Sequence, residues 1–89
     1  MKAEVETIKK LTADNGKRFI VGSDIAFTLK ENNIRYIGTI KKIYNHYMVL
    51  GNVEISSNSE VRNGDKIPFD MTVPFEDIKE DSCGYVSVD

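Results

Sequence analysis

From Ile25 to Leu50 the chain reads IAFTLKENNIRYIGTIKKIYNHYMVL, three short runs in which apolar and polar positions alternate. Ile25, Phe27 and Leu29 alternate with Ala26, Thr28 and Lys30, the period of two that gives a strand one apolar face. Lys30-Glu31-Asn32-Asn33 is a polar turn of the hairpin kind. Ile34 to Ile43 predicts the next strand, and its phase breaks. Ile34, Tyr36 and Ile40 lie on one parity, Ile37 and Ile43 on the other, with Gly38 between. A glycine inside a strand marks a bend or bulge, so this strand is expected to bend and serve two sheets. Tyr44-Asn45-His46 connects to a run in which Met48 and Leu50 alternate with Tyr47 and Val49. After Gly51-Asn52 the apolar pair becomes Val53 and Ile55, which reads Gly51 as a second bulge.

Ser56 to Lys66 is polar, ends in Asn63-Gly64-Asp65 and holds one apolar residue, Val61. It predicts a long hairpin loop or mobile tip. Ile67, Phe69, Met71 and Val73 then alternate with Pro68, Asp70 and Thr72, the cleanest strand pattern in the chain. Pro68 cannot donate to a ladder and is expected at an edge or strand end, and Pro74 stops the strand. Phe75 to Ile78 predicts one helical turn that drops Phe75 or Ile78 into the core. Tyr85 to Val88 predicts a short closing strand. Over residues 1–22 two readings stand. Val5, Ile8 and Leu11 fit a helical stripe, with Glu6 and Lys10 four apart. Ala13-Asp14-Asn15-Gly16-Lys17 is a tight-turn sequence leading into Arg18-Phe19-Ile20-Val21, which favours a hairpin.

Eighty-nine residues make one domain: 1–22 hairpin or helix, 23–55 core strands, 56–66 long polar loop, 67–89 closing strands. With 40% hydrophobic and 29% charged residues the composition is that of a globular chain. No tryptophan is present, so the aromatic core draws on four Phe and four Tyr. No apolar run approaches the roughly 18–20 residues that span a bilayer. MKAEVETIKK is unlike a signal peptide, and Cys83 is the single cysteine, so a cytoplasmic, membrane-free protein is expected. Residues 1–46 carry nine Lys/Arg against five Asp/Glu, and residues 47–89 carry three against nine. In a small barrel the two halves interleave into a mixed surface.

Candidate chemistry is sparse. One histidine, His46, and one cysteine, Cys83, cannot fill a structural zinc site, and no local signature pairs them as nucleophile and base. Glu76, Asp77, Glu80 and Asp81 lack the ligand spacing of a calcium loop. The glycines are scattered, so no phosphate loop is written. No enzyme and no cofactor are expected. Arg35, Lys41, Lys42, Tyr44, His46 and Tyr47 form the one constellation worth following, because basic groups neutralise phosphates and exposed rings stack on bases. Lys9, Lys10, Lys17 and Arg18 extend it. The same lysines also serve to protect strand edges, and the tyrosines to cap the core.

Val21 to Leu50, followed after the loop by IPFDMTVPFEDI, resembles a small SH3-like or Sm-like β-barrel over about two-thirds of the chain. Gly38-Thr39-Ile40 resembles the bent second strand of those barrels. Val73-Pro74-Phe75-Glu76-Asp77-Ile78 resembles the short helical turn before the last strand of many SH3-like barrels, ribosome-associated ones included. The resemblance implies an all-β, five-to-seven-stranded, strongly bent, partly open barrel. It does not carry RNA-binding residues over. Where Sm-like RNA binders have an aspartate stand Tyr44 and Asn45, Met48 is followed by Val49 rather than asparagine, and Val73-Pro74 takes the place of an Arg-Gly pair. Proline-rich ligands in SH3-like barrels need a tryptophan that this chain lacks. The expected role is a non-enzymatic binding or accessory module. It works by protein interaction or self-association through barrel edges, the other reading being RNA or DNA binding at the basic-aromatic rim.

Overall fold

The computed structural model describes residues 1–7, 9–57 and 60–87. Among the described residues eight strands form two antiparallel sheets: β1 (Glu4–Glu6), β2 (Lys10–Thr12), β3 (Arg18–Ile20), β4 (Asp24–Thr28), β5 (Arg35–Ile43), β6 (Tyr47–Ile55), β7 (Met71–Pro74) and β8 (Gly84–Tyr85). The first three make one sheet in the order β1-β2-β3. The other five make the second, in the order β7-β6-β5-β4-β8. No described helix is long and apolar enough to cross a membrane.

The N-terminal region is a meander. Ala13 N–H donates to the Lys17 carbonyl at 2.8 Å, and Gly16 N–H to the Ala13 carbonyl at 2.9 Å, closing the turn between β2 and β3. The helical stripe would need Ile8, which lies outside the described residues, as does Val88 of the closing strand. Leu11 and Phe19 pair across β2 and β3 and enter the same core as Ile25, Phe27, Ile40, Met48 and Leu50 of the larger sheet. Each fully buried side chain of this size contributes roughly 1.5–3 kcal/mol. The 3-10 turn Phe75–Asp77 buries Phe75, and Ile78 behind it is fully buried.

The all-β class expected from sequence holds, but in place of a partly open barrel of five to seven strands there are two sheets, and among the described residues neither closes into a barrel. β7 and β8 lie at opposite edges of the five-stranded sheet. The 3-10 turn carries the chain from one edge to the other, where Leu29 bridges Ile78 and Lys30 N–H donates to the Asp77 carbonyl. The smaller sheet adds Leu11 and Phe19 to the core instead of extending the larger one.

The strand pattern over Ile67 to Val73 is also interrupted. Ile67 N–H still bonds the Val53 carbonyl at 2.8 Å, but the regular strand starts only at Met71. Phe69, expected on the apolar face, is 67% exposed. Lys41 reaches across to Asp70 at 3.2 Å, where the excursion containing Pro68 and Phe69 returns to the sheet.

The broken phase of β5 has a cause other than a bend between two sheets. Ala26, Ile37 and Glu54 lie side by side across β4, β5 and β6, on the face away from the main core. All three are buried, Glu54 at 3%. Residues 60–66 cover them. Arg62 Nη1 donates to Glu54 Oε1 at 2.8 Å and to the Asn52 carbonyl, and Nη2 reaches Asp24 Oδ1 at 3.2 Å. Gly64 N–H takes the other Glu54 oxygen at 3.0 Å. Glu60 pairs with Arg35 Nη2 at 2.7 Å. From Glu60 to Lys66 the polar loop is therefore a pinned cover, not a tip. Ile40 and Ile43 change parity for a separate reason: a register shift between Ile40 and Lys42 adds one residue to β5. The second shift places its extra residue on β6 opposite Gly38, where Asn52 has φ +49°. A methyl on Gly38 would meet Leu50 and Val53 atoms at 3.2 Å.

The cover sets four expected outcomes for stability. Arg62→Met leaves the buried Glu54 carboxylate without its cation and is expected to cost about 3 kcal/mol in urea unfolding. Adding Glu54→Leu is expected to recover most of that loss, because the unpaired charge goes with it. A methyl on Gly64 would sit 1.5 Å from the Ile55 carbonyl oxygen. Gly64→Ala is therefore expected to cost about 2–3 kcal/mol by the same measurement. Burial opposes the charge on Asp24, but hydrogen bonds from Arg62 and Thr39 and the Arg62 charge outweigh it, holding its carboxyl below the usual range. This stabilisation is present above the ordinary value of 3.8 and is lost as pH falls through the lower folded value. Asp24→Asn is expected to flatten the fall of Tm below about pH 4.

Candidate functional site

The β5–β6 hairpin sets the geometry. Tyr44 N–H donates to the Tyr47 carbonyl at 2.8 Å, leaving Asn45 and His46 as the turn. The two tyrosine rings flank it and stack, with centroids 4.7 Å apart at 25°. Cross-strand aromatic pairs of this kind stabilise a hairpin while leaving an outer ring face free. The His46 carbonyl accepts from Phe75 N–H at 3.0 Å, fastening the turn to the start of the 3-10 helix.

The six residues singled out from sequence do not form one patch. Lys42 lies opposite Val49, one hydrogen-bonded step from the Tyr44–Tyr47 pair, and has no ion-pair partner among the described residues. Lys42, Tyr44 and Tyr47 therefore share a face, with His46 at the turn. Lys41 lies at the bulge and is tied to Asp70. Arg35 begins the same strand, roughly 20 Å away at about 3.3 Å per residue. Its guanidinium is engaged by Glu60, by the Ser82 carbonyl at 2.7 Å and by Thr28. Lys10 and Arg18 belong to the smaller sheet, and Lys17, in its β2–β3 turn, places its ammonium 6.0 Å from the Tyr85 ring. Burial pushes the Cys83 thiol up to about 12, with a further rise from Asp14, so it stays protonated at neutral pH. Among the described residues no cluster of three or more His, Cys, Asp or Glu is placed to hold a metal ion.

What the sequence reading missed is a groove of about 780 Å³ beside the hairpin turn. It is lined by Met1 to Glu4, by Asn45 to Tyr47, and by Thr72 and Pro74 to Glu76. The N-terminal ammonium donates to the Phe75 and Ile78 carbonyls at 3.0 and 2.9 Å, which fixes the first segment beside the 3-10 turn.

The strand on one side of the groove is an open edge. Opposite residues in an antiparallel ladder alternate between pairs that exchange hydrogen bonds and pairs that do not. The Phe75–His46 bond starts the count, so Val73 and Met71 bond to β6 while Thr72 and Pro74 point their backbone groups outward. The Tyr44–Tyr47 bond on the far side of β6 gives the same phase, with Val49 bonded to Lys42. Thr72 thus offers an N–H and a C=O to the groove, and Pro74 a C=O alone.

The other edges are guarded. On β3, Arg18 N–H donates to the Tyr85 hydroxyl at 3.1 Å, and Ile20 exchanges bonds with Ser23. β8 is two residues long. β1 carries glutamate at both ends of its three residues. Thr72 lies on the polar parity of its run, and Pro74 is the sequence signal that marks this edge. Comparison with protein-family models, with curated proteins and with solved structures finds no match to this chain.

Proposed function

We propose that this chain is a non-enzymatic protein-interaction module that receives an extended segment of a partner along β7, next to the Tyr47 groove. The observation that carries this reading is the outward-facing backbone of Thr72 in a groove, while the other edges are short, charged or capped. Strand addition to such an edge draws affinity from main-chain bonds and selectivity from neighbouring side chains. The sheet order, with a 3-10 turn between the β7 edge and the β4 edge, supports kinship with small SH3-like and Sm-like folds. A cytoplasmic setting remains part of the proposal, on the strength of the single buried cysteine.

Nucleic-acid binding is the second reading, favoured by the shared face of Lys42, Tyr44 and Tyr47. It ranks lower because Arg35 and Lys41 already face carboxylates, which leaves few cations for phosphates.

Thr72→Pro tests the proposal. It removes an amide that is not in the β6 ladder, so it is expected to cost less than about 1 kcal/mol of stability. Selection from a random pool of extended peptides is expected to yield binders that Thr72→Pro abolishes. Binders indifferent to Thr72→Pro, or salt-dependent binding of single-stranded RNA with no peptide binding, overturn it.

A further inference from the structure

We infer that Asp24, Thr39, Asn52 and Glu54 form a guanidinium socket, filled here by Arg62, that also takes an arginine from another chain when the cover lifts. A guanidinium carries five N–H donors in a rigid planar fork. The contacts of Arg62 match that count. Nε donates to Asp24 Oδ2 at 3.2 Å, and Nη1 to the Asn52 carbonyl at 2.7 Å and Glu54 Oε1 at 2.8 Å. Nη2 donates to Asp24 Oδ1 and to the Thr39 hydroxyl, each at 3.2 Å. Thr39 in turn donates to Asp24 Oδ1, which orients both acceptors. All four residues stand on β4, β5 and β6, so the socket belongs to the sheet and not to the cover. An ammonium is a point charge and cannot match the fork. The second Glu54 oxygen takes the Gly64 amide, so the fitting guest is an Arg-x-Gly segment.

The cover is built to be exchanged. None of residues 60–66 is buried and none belongs to the core cluster, so lifting them withdraws no core side chain. The closed state is also incompletely paired, because Glu60 Oε2 is buried with no donor among the described residues. Segments with so few apolar contacts open locally, at less free energy than the whole fold. Charge is what holds this one: Arg62 to Asp24 and Glu54, and Glu60 to Arg35. Two carboxylates converging on one guanidinium assign the guest's chemistry by complementary charge. Tethering gives Arg62 an effective concentration on the order of millimolar, so it excludes a weak guest and yields to one held by further contacts. Arg62 is thus a built-in competitor for the socket.

The test uses the full chain and two labelled hexapeptides, Glu-Val-Arg-Asn-Gly-Asp and the same sequence with lysine for arginine. Arg62→Lys keeps a cation near Glu54 but leaves part of the socket unfilled, so the cover loosens while the fold holds. Anisotropy at low salt is expected to show the arginine peptide bound to Arg62→Lys about tenfold more tightly than to the wild-type chain, and about tenfold more tightly than the lysine peptide. Hydrogen exchange of the wild-type chain needs no substitution. There the Gly64 amide, held by Glu54, is expected to exchange faster than the Ile40 amide, held by the Ser23 carbonyl. Excess arginine peptide is expected to speed Gly64 exchange by about tenfold and leave Ile40 unchanged, because the guest takes the cover's place. Equal affinity for the two peptides, equal affinity of the two proteins, or no binding overturns the socket. Binding that leaves Gly64 exchange unchanged places the peptide elsewhere and overturns it too. Gly64 and Ile40 exchanging together, through global unfolding alone, overturn the lifting of the cover and the proposal with it.

Discussion

Glu54 sits on β6 with 3% of its surface exposed, and everything on that face of the sheet depends on how its charge is met. A buried carboxylate without a partner costs several kcal/mol, so the chain must bring a cation and a donor to it. Arg62 and the Gly64 amide do so from a segment that has almost no apolar residue to bury for itself. The same guanidinium reaches Asp24 on β4 and the Thr39 hydroxyl on β5, so one side chain ties the cover to three adjacent strands. Arg35 and Glu60 repeat the arrangement nearer the other end of the cover. Ala26 and Ile37 then lie in a second apolar layer that the polar cover closes. A hydrophobic face is sealed here by electrostatics, with packing following rather than leading.

That inversion explains what was legible in the sequence and what was not. The hairpins were readable because local rules decide them. Period two in Ile25 to Leu29, the Asn15-Gly16 turn and the Pro74 stop all act over a few residues. The broken phase at Ile37 was visible too, but its cause was not. Nothing near Ile37 announces that a polar stretch some 25 positions on will fold over it. An arginine inside a serine- and asparagine-rich run reads as solvated, and only its long-range partners make it structural. Closure of the sheet failed for a related reason: whether β7 meets β8 depends on where the smaller sheet packs, which strand patterning leaves open.

The candidate site divides along the same line. Lys42, Tyr44, His46 and Tyr47 were readable as a group because a two-residue turn brings them together. Arg35 and Lys41 were not separable from them by residue type, since an arginine on a strand looks alike whether it faces solvent or Glu60. The outward direction of Thr72 needs the hydrogen-bond phase of the whole β5–β6–β7 ladder. A slip of one residue would turn that amide inward.

Pro74 ends β7 with a carbonyl and no donor. Open sheet edges invite copies to stack into fibrils, each new strand offering the next a full template. Growth of that kind needs an uninterrupted row of amides, and here the row stops two residues after Thr72. The neighbouring 3-10 turn then leads the chain away from the edge and into the core. Pro74 therefore sets a limit on any strand added here: beyond Thr72 this edge has no further amide to offer.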